Sequence, residues 1–346
     1  MKNIDNFYFS RVVLKKSIPI FFAFFLSIIL ATLAMYRPLD GKESNDTNMY
    51  YTHYLCIDNI NDISDCEDKI GNSFDSLYVL SVKLYTQLLG SDGFSFFIFS
   101  LAFLYTFSLF MFVSRFSPLI FFSFLFLLTD FRFWEGFVNV LRHGLSLSVF
   151  LLFCTLGYGR SKVFALRFFC LLAHKSSLVL CLAASKSKYS FKLIFTFFLA
   201  SFFILFNYDL LLSLTILDSS NKLFFYSKDS NDLSYGGIGI PVHYYIILAL
   251  SLFVYIKTDN EIFIYSTNIL LLLVCSAMVL SPINLGYRMS MFMTPFMALN
   301  FSVALVYFKN ILCGCNRLTF FLLDIVAYIF IFLLAINNFY KILYHF

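Results

Sequence analysis

The chain has 346 residues, 60% of them hydrophobic and only 13% charged, with a formal net charge of +5. A water-soluble domain is about half apolar and about one quarter charged, and a core of this size cannot hide the surplus. Composition therefore excludes a soluble enzyme, a secreted disulfide scaffold and a nucleic-acid-binding module. Continuous apolar runs exclude a membrane β-barrel, whose strands alternate.

What remains is an all-α polytopic integral membrane protein. Residues 1–16 carry Lys2, Arg11, Lys15 and Lys16 ahead of an apolar run over 17–36. No small-x-small cleavage site follows it, so the run is read as a first span with a cytoplasmic N-terminus. Residues 37–93 form a large polar loop rich in Asp and Glu, which suits a non-cytoplasmic face. Inside it, 74–90 has helical apolar spacing through Leu77, Leu80, Leu84 and Leu88, the pattern of a surface helix. Cys56 and Cys66 share this loop and can pair if it faces an oxidising compartment.

Further apolar runs lie at 94–113, 118–131, 138–158, 163–185, 191–208, 242–257, 262–281, 289–308 and 318–338, with a second external loop at 209–241. The expectation is a single membrane domain over 1–346 with about ten transmembrane or re-entrant segments. Its first group of spans covers 94–208 and its C-terminal spans cover 242–338. Counting sides from a cytoplasmic start produces one conflict. If 163–185 is a plain span, then Lys186, Lys188, Lys192, Lys257, Lys309 and Arg317 all fall outside, against the positive-inside tendency. Ala173-His174-Lys175-Ser176-Ser177 is a polar break in that run, and each flank of about 11 residues is too short to cross about 30 Å of hydrocarbon. A broken helix with His174 near its tip removes the conflict, and it puts Arg142, His174, Arg288 and the acidic loop on one outer face. The alternative is a plain span with a weak charge bias.

Four places could carry chemistry. Asn139-Val-Leu-Arg142-His143-Gly144 opens the fourth span, and on an unbroken helix Glu135, Asn139, Arg142 and Ser146 share a face. Arg142 reads either as an anchor reaching for the interface or as a bidentate clamp for phosphate. His174 reads either as a structural hydrogen-bonder or as a general base. Pro282-Ile-Asn284-Leu-Gly286-Tyr287-Arg288 places Arg288 at a helix start, where anions are favoured. Arg37, Asp40, Asp46, Tyr50, Tyr51 and His53 follow the first span, either as a solvated loop or as a source of a base and of sugar contacts. Gly236-Gly-Ile-Gly239 lacks the preceding strand and the Lys-Ser/Thr ending of a phosphate loop, and reads as a hinge. No Walker sequence, zincin motif or metal-ligand spacing is present, so neither cofactor nor metal is implied.

Five stretches occur in one order. They are Arg37 with Asn45-Asp46-Thr47-Asn48-Met49-Tyr50, then Asp75-Ser-Leu-Tyr78, Asn139-Val-Leu-Arg142-His143-Gly144, Ala173-His174-Lys175-Ser176-Ser177, and Gly286-Tyr287-Arg288. Together they resemble the EpsG-like family of exopolysaccharide and O-antigen polymerases of the Wzy type, over about residues 10–340. The chain departs from that pattern at His143 (usually Gln), Asn45 (usually Gly), in lacking the usual Pro two residues before Tyr78, and at Ser177 (usually Ala).

The resemblance implies a multi-pass protein of the bacterial inner membrane. It implies a glycosyltransferase that moves a glycan from undecaprenyl diphosphate onto another lipid-linked repeat unit at the outer face. His174 and Asp46 are its candidate catalytic groups; Arg142, Arg288, Asn139, Arg37 and Tyr50 are its candidate diphosphate and glycan contacts. Its partners would be the lipid-linked oligosaccharides, the bilayer, a chain-length regulator and a flippase, with no nucleic acid. Three alternatives remain: an O-antigen ligase, another polyprenyl-phosphate-dependent glycosyltransferase, and a transporter or flippase. A transporter of this kind would more often carry internal repeats, and none is detected here.

Overall fold

In a computed structural model, the described residues are 17–36, 45–60, 66, 75–138, 140–156, 169–170, 172–174, 177–182, 188–206, 240–280, 286–312 and 317–343. Every regular element among them is helical. In chain order these are α1 (Ser17–Met35), α2 (Asn45–Ile60), α3 (Ser76–Leu89), α4 (Phe94–Phe116), α5 (Ile120–Thr129), α6 (Phe131–Val138) and α7 (Leu141–Leu156). There follow α8 (Leu178–Leu182), α9 (Phe191–Phe206), α10 (Val242–Lys257), α11 (Glu261–Leu280), α12 (Gly286–Leu312) and α13 (Arg317–Leu343).

Four stretches are long and apolar enough to cross a membrane: Ser76–Phe116, Glu261–Leu280, Gly286–Ile311 and Phe321–Phe339. Five more apolar helices are shorter. The expected run at 242–257 coincides with α10, and that at 289–308 extends in both directions to make α12. The run at 118–131 gives only the ten residues of α5. At 1.5 Å per residue that is about 15 Å, half of what a span requires.

The chain forms two compact units. The first comprises residues 1–181 and 318–346, the second 182–317. At the centre of the first lies α4, a Phe- and Leu-rich helix with Arg115 in its last turn, where a cation complements the helix dipole. Phe24 of α1 meets Phe103 and Phe107 of α4 edge-on. The outward side of α1 carries exposed Phe21, Phe25 and Ile29, and that of α13 carries Phe321, Val326, Phe332 and Phe339. Such faces suit lipid, not water. Asn338 of α13 donates to the Thr129 carbonyl at 2.8 Å, tying it to the end of α5.

α3 ends at Gly90, whose φ of 63° is left-handed and whose N–H returns to the Thr86 carbonyl. One 3-10 turn then leads into α4. The Tyr54 hydroxyl of α2 donates to the Gly90 carbonyl at 3.0 Å, and its ring packs on Phe94 and Phe97. α2 is polar overall and is held by buried Tyr50, Tyr54 and Ile57. A disulfide joins Cys56 to Cys66, with Cα atoms 5.7 Å apart.

The second unit pairs α11 with α12, and α9 and α10 pack beside them. Its interior polar groups are neutral and satisfy one another. Ser266 donates to Asn300 Oδ1 at 2.6 Å, and Asn300 donates to Thr267 at 2.9 Å. The Tyr255 hydroxyl donates to Asn268 at 2.8 Å, and Tyr244 and Thr294 share a hydrogen bond of 2.8 Å.

Candidate functional site

α6 and α7 meet at a break that the sequence does not announce. The Val140 N–H bonds to the Glu135 carbonyl, five residues back, instead of continuing an α-helical ladder. The shared face of Glu135 and Arg142 expected from helical spacing is therefore absent. Glu135 instead forms a buried ion pair with Arg132. Two glycines explain the turn. A Cβ on Gly144 would lie 2.4 Å from the Gly136 carbonyl oxygen, and one on Gly136 would lie 2.3 Å from the Tyr105 hydroxyl. Only hydrogen atoms at both positions allow α7 to start so close to α6 and α4.

Tyr105 stands midway along α4. Gly144 therefore lies about halfway along that helix. Tyr78 and Tyr54 pack on Phe97, near the Phe94 end. Polar side chains fill the level between these two points.

Asp75, immediately before α3, is the hub. Its Oδ2 accepts from His174 Nδ1 at 2.7 Å and faces Arg142 Nη1 at 3.5 Å. His174 Nε2 lies 3.1 Å from His143 Nε2, with ring centroids 4.0 Å apart. The Arg142 guanidinium sits over the Tyr50 ring at 5.9 Å and engages the Tyr50 side chain. Tyr78 packs on Tyr50 at 5.4 Å, and His53 stacks on Tyr78 at 5.9 Å. Burial first, and the neighbouring Arg142 second, lower the His53 pKa to about 4, so this imidazole is neutral near pH 7.

His174 reaches the hub because the backbone leaves the helical path there. Its N–H bonds back to the Cys170 carbonyl, while its own carbonyl accepts from the Ser177 N–H and hydroxyl. α8 begins directly after that turn.

Three of the residues anticipated from sequence, Arg142, His174 and Tyr50, come together in this cluster. Arg288 lies in the second unit, in the first turn of α12, where its Nε donates to the Tyr287 hydroxyl at 3.1 Å. Asp46 is in the first turn of α2, and its side chain lies outside the described residues, as do Arg37 and Asn139. Asp75 and His143 were not anticipated as site residues. Asp75 is one of many acids in an acidic loop; its signal is its place directly ahead of an apolar helical pattern. His143 stood out only as a departure from the usual Gln.

Among the described residues no group of three or more His, Cys, Asp or Glu side chains is arranged to hold a metal ion. The cluster's chemistry is that of a carboxylate, two imidazoles and a guanidinium. Together they can accept a proton and hold an anion.

All-helical architecture with several long apolar helices defines the class: a polytopic membrane protein. The chain belongs to the EpsG family, whose sequence profile matches residues 18–346. Membership makes it a polysaccharide-polymerase-like membrane protein. No curated protein and no solved structure matches the chain.

Proposed function

We propose that the protein is a glycan polymerase. It transfers a growing glycan from undecaprenyl diphosphate to the non-reducing end of a second lipid-linked repeat unit, at the outer face of the inner membrane. The observation that carries this reading is a single cluster in which the carboxylate-backed imidazole of His174 lies beside the Arg142 guanidinium. The reaction has two electrostatic demands. The acceptor hydroxyl must lose a proton, and the diphosphate must leave with its bonding electrons. The His174–Asp75 pair meets the first, since the carboxylate stabilises the imidazolium that forms. Arg142 meets the second, because its planar fork matches phosphate oxygens and the surrounding apolar helices strengthen the attraction.

The Cys56–Cys66 disulfide supports an outward-facing α2, since disulfides persist in oxidising compartments. Asp46 is a further candidate contact to the acceptor.

The purified protein in lipid nanodiscs, given lipid-linked repeat units, is expected to produce a ladder of longer lipid-linked glycans. Arg142→Lys keeps the charge but loses the fork, and is expected to slow elongation by about 100-fold. A wild-type preparation that makes no longer glycan overturns the reading. An Arg142→Lys protein with full activity removes the bidentate phosphate role.

A further inference from the structure

We infer that Tyr50 is a positioning residue that acts through Arg142: together with Asp75 it fixes the plane of the guanidinium that receives the diphosphate, and it touches neither glycan nor diphosphate itself. This inference rests on the polymerase reading and deepens it.

Burial rules out the plainer role. A ring that stacks on a sugar needs an open face, and Tyr50 is 1% exposed. Tyr78 lies against it at 5.4 Å, and Tyr78 is itself buried among Tyr50, His53 and Phe97. The Arg142 guanidinium carbon lies 5.9 Å from the centre of the Tyr50 ring, and Arg142 hydrogen-bonds the Tyr50 side chain. A guanidinium only donates, so the Tyr50 oxygen accepts.

Two contacts orient a planar group where one does not. Asp75 Oδ2 lies 3.5 Å from Arg142 Nη1, longer than the roughly 2.7–2.9 Å of a close charge-assisted bond. The same oxygen lies 2.7 Å from His174 Nδ1, so the carboxylate is shared. Alone, that loose contact would leave the fork free to swing about the arginine side chain. Tyr50 supplies the second point, from a different helix, and the plane is then set. The donors that remain keep the geometry needed for two parallel bonds to a phosphate. The Arg142 side chain is 16% exposed, so Arg142, not Tyr50, is the member of the pair that can meet a ligand.

The sequence builds a mount for that contact. Tyr50, His53, Tyr54 and Ile57 follow one another at steps that put them on one face of α2, and all four are buried. Tyr54 is tied to the Gly90 carbonyl at 3.0 Å and packs on Phe94 and Phe97. Cys56, just beyond it, is fastened to Cys66. α2 contains no Lys or Arg, and His53 is neutral near pH 7, so the helix brings no second cation against Arg142. A helix that is polar overall thus carries one phenol to a set place beside a charge.

Tyr50→Phe keeps the ring on Tyr78 and removes only the oxygen. Elongation in nanodiscs should fall about 10-fold. The decisive comparison is a double-mutant cycle with Arg142→Lys. A residue that acts through the fork has nothing to act on once the fork is gone, so adding Tyr50→Phe to Arg142→Lys should slow it by no more than about 2-fold. A glycan contact or a merely structural ring would slow both backgrounds equally. Calorimetric binding of inorganic diphosphate to the same nanodiscs gives a readout apart from turnover. Affinity should fall about 10-fold in Tyr50→Phe, and the substitution should make no difference in the Arg142→Lys background. A wild-type rate in Tyr50→Phe, or equal losses of rate in both backgrounds, overturns the inference. So does diphosphate that binds wild type and Tyr50→Phe alike, or binds neither. A wild-type protein that binds diphosphate yet makes no longer glycan overturns the polymerase reading instead, and the binding cycle then still decides the role of Tyr50.

Discussion

The two units bury polar groups in opposite ways. In the second, the interior polar side chains are hydroxyls and amides, paired donor to acceptor between α11 and α12 and between α10 and its neighbours. Its described charges sit at or between helix ends: Lys188 ahead of α9 paired with Asp259 at 3.1 Å, Lys192 in the first turn of α9, Lys257 in the last turn of α10, Glu261 at the start of α11, and Arg288 and Lys309 in the end turns of α12. In the first unit, Asp75, Arg142 and His174 meet in one partly buried cluster, and Arg132 and Glu135 pair in the interior. Neutral pairs join helices at little cost, because each partner replaces a hydrogen bond the other would lack. Charges at that depth are expensive and are kept where they do chemistry. The contrast sets the second unit's neutral, helix-joining pairs apart from the first unit's charged cluster, where the proposed reaction would take place.

The sharpest way to break this contrast is Asp75→Asn. The amide keeps the size of the hub but cannot hold an imidazolium or balance Arg142. Elongation is expected to drop by about 100-fold or more, read as glycan length against time in nanodiscs. Near-normal elongation would reduce Asp75 to a packing residue.

The second unit should respond in stability. Asn300→Leu breaks both hydrogen bonds, to Ser266 and to Thr267, that join α11 to α12. It should cost about 1 kcal/mol of stability, seen as a lower melting temperature in detergent, with the folded protein still active. A large loss of activity at unchanged melting temperature would mean that this network, too, serves the reaction.

The smallest expected effect concerns His53. Its folded pKa of about 4 lies below the ordinary value of 6.5, so the unfolded chain binds the proton more readily. The stability it contributes is complete above pH 6.5 and is lost as pH falls towards 4. His53→Phe keeps the stack on Tyr78 and has no proton to take up. Its melting temperature should therefore fall less than that of the wild type between pH 6.5 and 4. Parallel curves for the two proteins would show that the acid sensitivity lies elsewhere.

Some of the site was legible before folding and some was not. Arg142 stood out as a charge opening an apolar run, and His174 as a polar break inside another. Both signals are local, since they depend only on the residues to either side. Asp75 gave no such signal, because an acid within an acidic loop is ordinary. The helical face drawn through Glu135 and Arg142 failed for a related reason. Spacing assumes one continuous helix, and the approach of Gly144 to Gly136 breaks it. The ten-residue α5 was read as a span because hydropathy counts apolar residues without knowing where the helix stops.

Composition and periodicity alone determined the solvent, the helical class and the positions of the long apolar helices, and short motifs in a fixed order carried the family resemblance. All of these are properties of a residue and its near neighbours, repeated along the chain. Only the tertiary structure decided that Asp75 meets Arg142 across 67 residues and His174 across 99. Such contacts depend on how α2, α3 and α7 pack against α4. The physical reason is that a helix repeat carries information over three or four residues, whereas the partner of a buried charge is chosen by whichever distant backbone the packing brings within 3 Å or so.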